Sequence, residues 1–246
     1  RLRLHRDIRN RLLQAMDTRH RLRSRDVSPR CQWGIYAITD RASSGNRPIL
    51  ETVEAVLAGG VRVIQLRDKE MSFEQLLAVA REIRHMTRQQ DATFIVNDNP
   101  YLAREADADG VHVGQEDIPV EVVRDIVGPD MLVGLSTHTR EQALMAQLLP
   151  VDYIGIGPIY ETKTKISPWP VVGTETLRWA RLTLSIPLVA IGGITVETIS
   201  EVVAAGAHNV AVIRDLMSAD NIEERARQLC RLFEESRARP PTEGGP

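Results

Sequence analysis

Lysine is almost missing. Of 31 basic residues only Lys69, Lys163 and Lys165 are lysines, and they fall in just two loops; the rest are arginine. A lysine ammonium is a compact point charge on a flexible stem, which a guanidinium does not reproduce. Attention therefore goes to those two loops. Cysteine is nearly absent too. Cys31 and Cys230 stand far apart, without metal-ligand spacing or a disulfide framework, and read as free thiols of a reducing compartment. No run of about 18 apolar residues occurs, so a membrane-spanning helix is not expected. The basic first residues lack an apolar stretch behind them, so no secretory signal is read and a cytoplasmic protein is expected. No strand leads into a G-x-G-x-x-G turn, which argues against a dinucleotide-binding open sheet.

Charge is unevenly spread. Residues 1–30 hold ten Arg against Asp7, Asp17 and Asp26, a balance of +7, so the net −2 of the whole leaves about −9 for the rest. The arm reads as a basic extension, helical or disordered, with Ile8, Leu12, Leu13 and Met16 on one face of a helix over 5–25. Neither nucleic acid nor membrane is expected as a partner. A homo-oligomer is compatible with the sequence. The stretch 239–246, Arg-Pro-Pro-Thr-Glu-Gly-Gly-Pro, reads as a disordered tail.

Between these ends, residues 31–238 alternate short apolar runs with longer amphipathic ones. Eight runs stand out: 34–38, 61–66, 93–96, 110–113, 131–135, 153–156, 187–191 and 209–213. Helical periodicity follows, as in 73–88, 140–148 and 222–235. Ser72 and Thr195 are expected helix N-caps, and Gly59-Gly60 an expected helix stop. Eight strand–helix units in about 200 residues point to an α/β protein, a closed (β/α)8 TIM barrel, with its site at the C-terminal strand ends.

Those ends are polar. The second reads Gln65-Leu66-Arg67-Asp68-Lys69, with Gln65, Arg67 and Lys69 on one face. Asp98 and Asp117 follow the third and fourth strands. Two carboxylates on neighbouring strand ends suit Mg²⁺, which takes one or two carboxylates plus waters and phosphate oxygens; they suit helix N-caps equally. Ser136, Thr137, His138 and Thr139 end the fifth. Thr162 to Lys165 follow the sixth, Gly192-Gly193 the seventh, and Ile213-Arg214 the eighth. The inventory implies a diphosphate held with a metal and a separate monophosphate.

Taken together and in order, these motifs resemble the thiamine phosphate synthase family. The likeness rests on Gly34-Ile-Tyr-Ala-Ile-Thr-Asp40, the 65–69 loop, Val96-Asn-Asp98 and Asp109-Gly-Val-His-Val-Gly-Gln-Glu-Asp117. It continues through Gly134-Leu-Ser-Thr-His-Thr139, Asp152-Tyr-Ile-Gly-Ile-Gly-Pro158, Thr162-x-Thr-Lys165 and Val189-Ala-Ile-Gly-Gly-Ile194. The resemblance implies a transferase that joins an aminopyrimidine diphosphate to a thiazole phosphate and releases pyrophosphate. It implies Gln65, Leu66, Arg67, Asp68, Lys69, Asn97, Ser136 and Lys165 on the pyrimidine diphosphate, with Arg67, Lys69, Ser136 and Lys165 assisting catalysis. It implies Thr162, Lys163, Thr164, Gly193, Ile213 and Arg214 on the thiazole phosphate, and one Mg²⁺ per site on Asp98 and Asp117. Lys163 stands where the family usually has Pro, and Arg214 where it often has Ser. A thiazole tautomerase of the same fold, with His138 as acid or base, is the alternative.

Overall fold

The computed structural model describes residues 29–45, 47–162, 164 and 169–238. The expected basic helix, the tail from 239, Lys163 and Lys165 lie outside them. Eight parallel strands close in sequence order into one barrel. They are β1 (Gly34–Ile38), β2 (Val63–Leu66), β3 (Thr93–Asn97), β4 (Gly110–Val113), β5 (Leu132–Thr137), β6 (Tyr153–Ile156), β7 (Leu188–Ile191) and β8 (Asn209–Val212). Closure comes from β1 pairing with β8, Tyr36 opposite Ala211.

The strands form where β-branched and apolar residues run together, and each is covered outside by a helix. The helices are α1 (Ile49–Ala58), α2 (Phe73–Gln89), α3 (Pro100–Glu105), α4 (Val120–Val127), α5 (Arg140–Ala146), α6 (Gly173–Thr183), α7 (Ile199–Ala204), α8 (Arg214–Met217) and α9 (Ile222–Ala238). Ser72 caps α2 as expected, in a reciprocal capping box with Gln75. The helix then turns Ala80, Ile83 and Thr87 inward at helical spacing. Gly59 ends α1, and Gly60 follows at φ +98°. Thr195 does not cap. Its hydroxyl accepts from Glu197 N–H in a turn, and α7 begins only at Ile199. The turn residues Thr195 and Thr198 bond each other, which competes with helix start.

Period two along the strands divides the core. Ile35, Ala37, Ile64, Leu66, Phe94 and Val96 pack outward against the helices. Tyr36, Val63, Ile95, Leu132, Tyr153, Val189 and Ala211 pack inside the barrel. Trp33 lies against the interior tyrosines, its ring centroid 5.6 Å from Tyr36 and 5.2 Å from Tyr153, both edge-on. Cys31 and Cys230 are free, as expected, and burial raises their thiols to about 12 and about 11. Among the described residues no helix is long and apolar enough to cross a membrane.

Candidate active site

All eight strands are parallel, so their C-terminal ends share one face. There lies a cavity of about 780 Å³. Its wall carries Lys69, Asp98, Asp117 and Ser136 from the second to fifth strand ends. It also carries Thr162, Thr164, Gly193, Ile213 and Arg214 from the sixth to eighth. Nine of the expected site residues are thus gathered around one space from segments up to 145 positions apart.

Asp98 and Asp117 cap no helix. Asn99 caps α3, accepting from Leu102 N–H at 3.0 Å, and Pro119 precedes α4. Asp98 sits in the left-handed region at φ +62° while its N–H donates to the His112 carbonyl at 2.8 Å. That conformation costs on the order of 1 kcal/mol for a non-glycine residue. Asp117 accepts the Gly114 N–H at 2.7 Å. Both side chains are exposed in the cavity wall. Among the described residues no group of three or more His, Cys, Asp or Glu forms a metal cage. Two hard oxygen donors that leave most of a shell to water and substrate oxygens nevertheless fit Mg²⁺.

The second strand end splits in two. Lys69 reaches the cavity. Leu66 is buried in the outer core. Asp68 is buried and occupied; burial works to raise its pKa, but N–H bonds from Glu70 and Met71 and the Arg41 guanidinium hold it below the usual range. Leu66 and Asp68 thus shape the loop and do not face the cavity. Arg67 pairs with Asp40 at 2.8 Å, and Asp40 is itself fixed by Ser43. This pairing was not legible in the sequence.

Gln65 and Asn97 lie deeper. Gln65 Nε2 donates to Asn97 Oδ1 at 2.6 Å, and Tyr36 donates to Gln65 Oε1 at 2.9 Å. Tyr36 meets the Tyr153 hydroxyl at 3.0 Å, Tyr153 meets His112 Nδ1 at 3.2 Å, and His112 Nε2 meets Ser136 Oγ at 2.9 Å. Tyr36, His112 and Tyr153 were not anticipated as site residues. The signal that could have found them is a polar ring at an inward position of an otherwise apolar strand. Gly134 makes room for it: a Cβ there would sit 2.2 Å from the Tyr153 ring and 2.5 Å from His112 Nδ1.

On the opposite wall, Gly193 holds φ +65°, and a Cβ would fall 2.5 Å from the Glu161 carbonyl oxygen. Only glycine lets this turn pack under the loop that carries Thr162 and Thr164. His138 donates through Nδ1 to the Gly157 carbonyl at 2.7 Å and stacks on Trp169, with centroids 5.3 Å apart. Arg214 is the first residue of α8. Its neighbour Asp215 is taken by Arg225 at 2.6 Å.

The model of the thiamine monophosphate synthase family matches residues 35–216. The thiamine-phosphate synthase of Moorella thermoacetica is 40% identical over 208 residues, covering 85% of this chain and 99% of its own length. That of Pelotomaculum thermopropionicum is 43% identical, covering 85% and 95%. A solved structure, the thiamine phosphate pyrophosphorylase of Pyrococcus furiosus, superposes with a TM-score of 0.78 at 35% identity, covering 84% of this chain and 98% of that one. The tautomerase alternative finds no support among these relatives. With the family model spanning the barrel from its first strand to its last and the strand-end motifs gathered at one mouth, this chain belongs to the thiamine monophosphate synthase family.

Proposed function

We propose that this chain condenses 4-amino-2-methyl-5-hydroxymethylpyrimidine diphosphate with a thiazole phosphate, giving thiamine phosphate and pyrophosphate. The observation that carries the reading is the two-sided cavity. Lys69, Asp98, Asp117 and Ser136 line one side, and Thr162, Thr164, Gly193 and Arg214 the other. One side suits a diphosphate and the other a monophosphate.

The carbon–oxygen bond of the pyrimidine methylene breaks, and its electron pair leaves with pyrophosphate. The thiazole nitrogen lone pair then forms the carbon–nitrogen bond. Lys69, with Lys165 from outside the described residues, offsets charge growing on the leaving group, a contribution larger in the transition state than in the ground state. Arg67 is held by Asp40, so its remaining guanidinium N–H groups come to the diphosphate pre-oriented. The Thr162–Thr164 loop and the Gly193 turn hold the thiazole phosphate in both states, which is uniform binding. Asp98 and Asp117 would hold Mg²⁺, which supplies charge neutralisation at the diphosphate.

Turnover with both substrates tests the reading: thiamine phosphate and pyrophosphate should appear in equal amounts. Asp117→Asn should raise the Mg²⁺ concentration for half-activity about tenfold while the unfolding midpoint stays, because a hard cation loses an anionic oxygen. An unchanged Mg²⁺ requirement would remove Asp117 from the metal.

A further inference from the structure

The polar chain inside the barrel can be followed proton by proton. Each tyrosine hydroxyl has one proton to give. Both are fully buried, at 1% and 0% exposure, and burial raises their pKa well above the usual range, so neither proton is lost at working pH. Tyr36 gives its proton to Gln65 Oε1. In the contact with Tyr153, Tyr36 therefore accepts and Tyr153 donates. With its proton spent, Tyr153 accepts from His112, which places the imidazole proton on Nδ1. With the ring's one proton on Nδ1, the Nε2 lone pair faces Ser136 Oγ at 2.9 Å, and the Ser136 hydroxyl donates to it. At the far end Gln65 donates to Asn97 Oδ1. Asn97 thus keeps its amide N–H pair for another partner, and Ser136 keeps only oxygen lone pairs.

The chain crosses the barrel, with side chains from β1, β2, β3, β4, β5 and β6. No member can reverse alone without setting donor against donor or acceptor against acceptor, at a cost of about 1–3 kcal/mol per mispaired group. It can turn round only as a whole.

We infer that this chain has one polarity, that Tyr153 is the positioning residue that maintains it, and that the polarity selects the substrate's ring. Its acceptor end, Ser136, lines the cavity, and its donor end, Asn97, is the last residue of β3, next to the cavity-lining Asp98. They flank His112: Asn97 lies opposite it in the β3–β4 register, and Gly134, two residues before Ser136, opposite it in β4–β5. Two strand spacings across and two residues along separate the two backbone positions by roughly 12 Å, room for one six-membered ring and its contacts. A 4-aminopyrimidine offers the complement, ring nitrogens that accept and an amine that donates. A 4-oxopyrimidine keeps an accepting ring nitrogen at N1 but puts a carbonyl, which accepts, where the amine donates, so it is mismatched at the Ser136 end. The selectivity part rests on the pyrimidine reading above; the proton order does not.

Two measurements separate these parts. In the full chain with ¹⁵N-labelled histidine, the His112 ring signals, assigned by their loss in His112→Gln, should show Nδ1 protonated and Nε2 bare. Tyr153→Phe removes one oxygen and keeps the ring; it should move the His112 proton to Nε2. A wild-type ring protonated at Nε2, or at both nitrogens, overturns the inference whatever the enzyme does. In kinetics with the 4-amino and 4-oxo pyrimidine diphosphates, Tyr153→Phe should cut the kcat/KM preference for the amino ring about tenfold or more, the scale of one hydrogen bond turned from opposed to matched. A preference equal to wild type in the folded variant overturns the selectivity. If neither pyrimidine is turned over by wild type, the proposed function fails and the nitrogen spectrum still decides the proton order.

Discussion

The two ends of this barrel use the same residue types for opposite purposes. At the N-terminal end, carboxylates are consumed by the fold. Asp109 accepts from Arg84 at 2.7 Å and from the Phe94 strand amide at 2.8 Å. Asp152 repeats the arrangement, accepting from Arg124 at 2.7 Å and from Val133 N–H at 2.8 Å. Arg124 also donates to the carbonyls of Gly128 and Met131. Asn209 does similar work at the seam, accepting from Trp33 and Gly34 N–H and donating to the Cys31 carbonyl. At the C-terminal end, Asp98 and Asp117 stand exposed in a cavity wall. Where a carboxylate has an arginine and a strand amide together, it fastens strands; Asp98 and Asp117 instead face the cavity at the strand ends, where such barrels place their chemistry.

That contrast can be broken from either end. The largest expected effect lies at the fastening end. Asp152→Ala leaves a half-buried Arg124 without its anion and a strand amide without its acceptor, a loss of about 2–3 kcal/mol. Denaturant unfolding should show it, while the Michaelis constants of the folded enzyme stay as in wild type. A shifted Michaelis constant at unchanged stability would mean the two ends are not separate in function.

A smaller effect is expected at the other end. Arg214→Ser should raise the Michaelis constant for thiazole phosphate roughly tenfold with little change in turnover at saturation, because a phosphate contact made in both states is uniform binding. The constant for the pyrimidine diphosphate should hold. Steady-state kinetics with each substrate varied in turn decides this, and equal thiazole constants would leave Arg214 without a phosphate role.

The smallest effect returns to the fastening end. His208 accepts from Leu188 N–H at 3.0 Å, and its Nε2 is buried without a partner. Burial first, then the positive charges of Arg181 and Arg237, lower its pKa from 6.5 to about 4. The unfolded imidazole takes up a proton near pH 6.5 and the folded one only near 4, so acid favours the unfolded state across that window. Above it His208 is neutral in both states. His208→Asn keeps an acceptor and cannot protonate; stability should then fall less between pH 6.5 and 4, by on the order of 1 kcal/mol. Unfolding curves at pH 7 and 4.5 for both proteins check it, and equal pH slopes would reject it.

Much of this could be read from the chain alone. The eight strands were legible because each is a local run of β-formers, and α2 because its cap and its apolar face lie within 18 residues of each other. The strand-end residues were legible because parallel topology puts every C-terminal end on one face. The start of α7 was not, since a threonine turn and a threonine cap share one local pattern and tertiary packing chooses between them. Nor were the roles of Asp68 and Arg67. Each depends on a partner about 27 positions away, Arg41 and Asp40, in a loop that only barrel closure brings close.

The sequence by itself determined the period of the strands, the ends at which polar residues collect, and the family to which those motifs belong. The tertiary structure decided which of two identical side chains is spent on the fold. It also decided that Tyr36 and Tyr153, 117 positions apart, exchange one hydrogen bond. Periodicity is local and survives in one dimension. Direction in a hydrogen-bond chain is set by every neighbour at once, and those neighbours exist only when the barrel is closed.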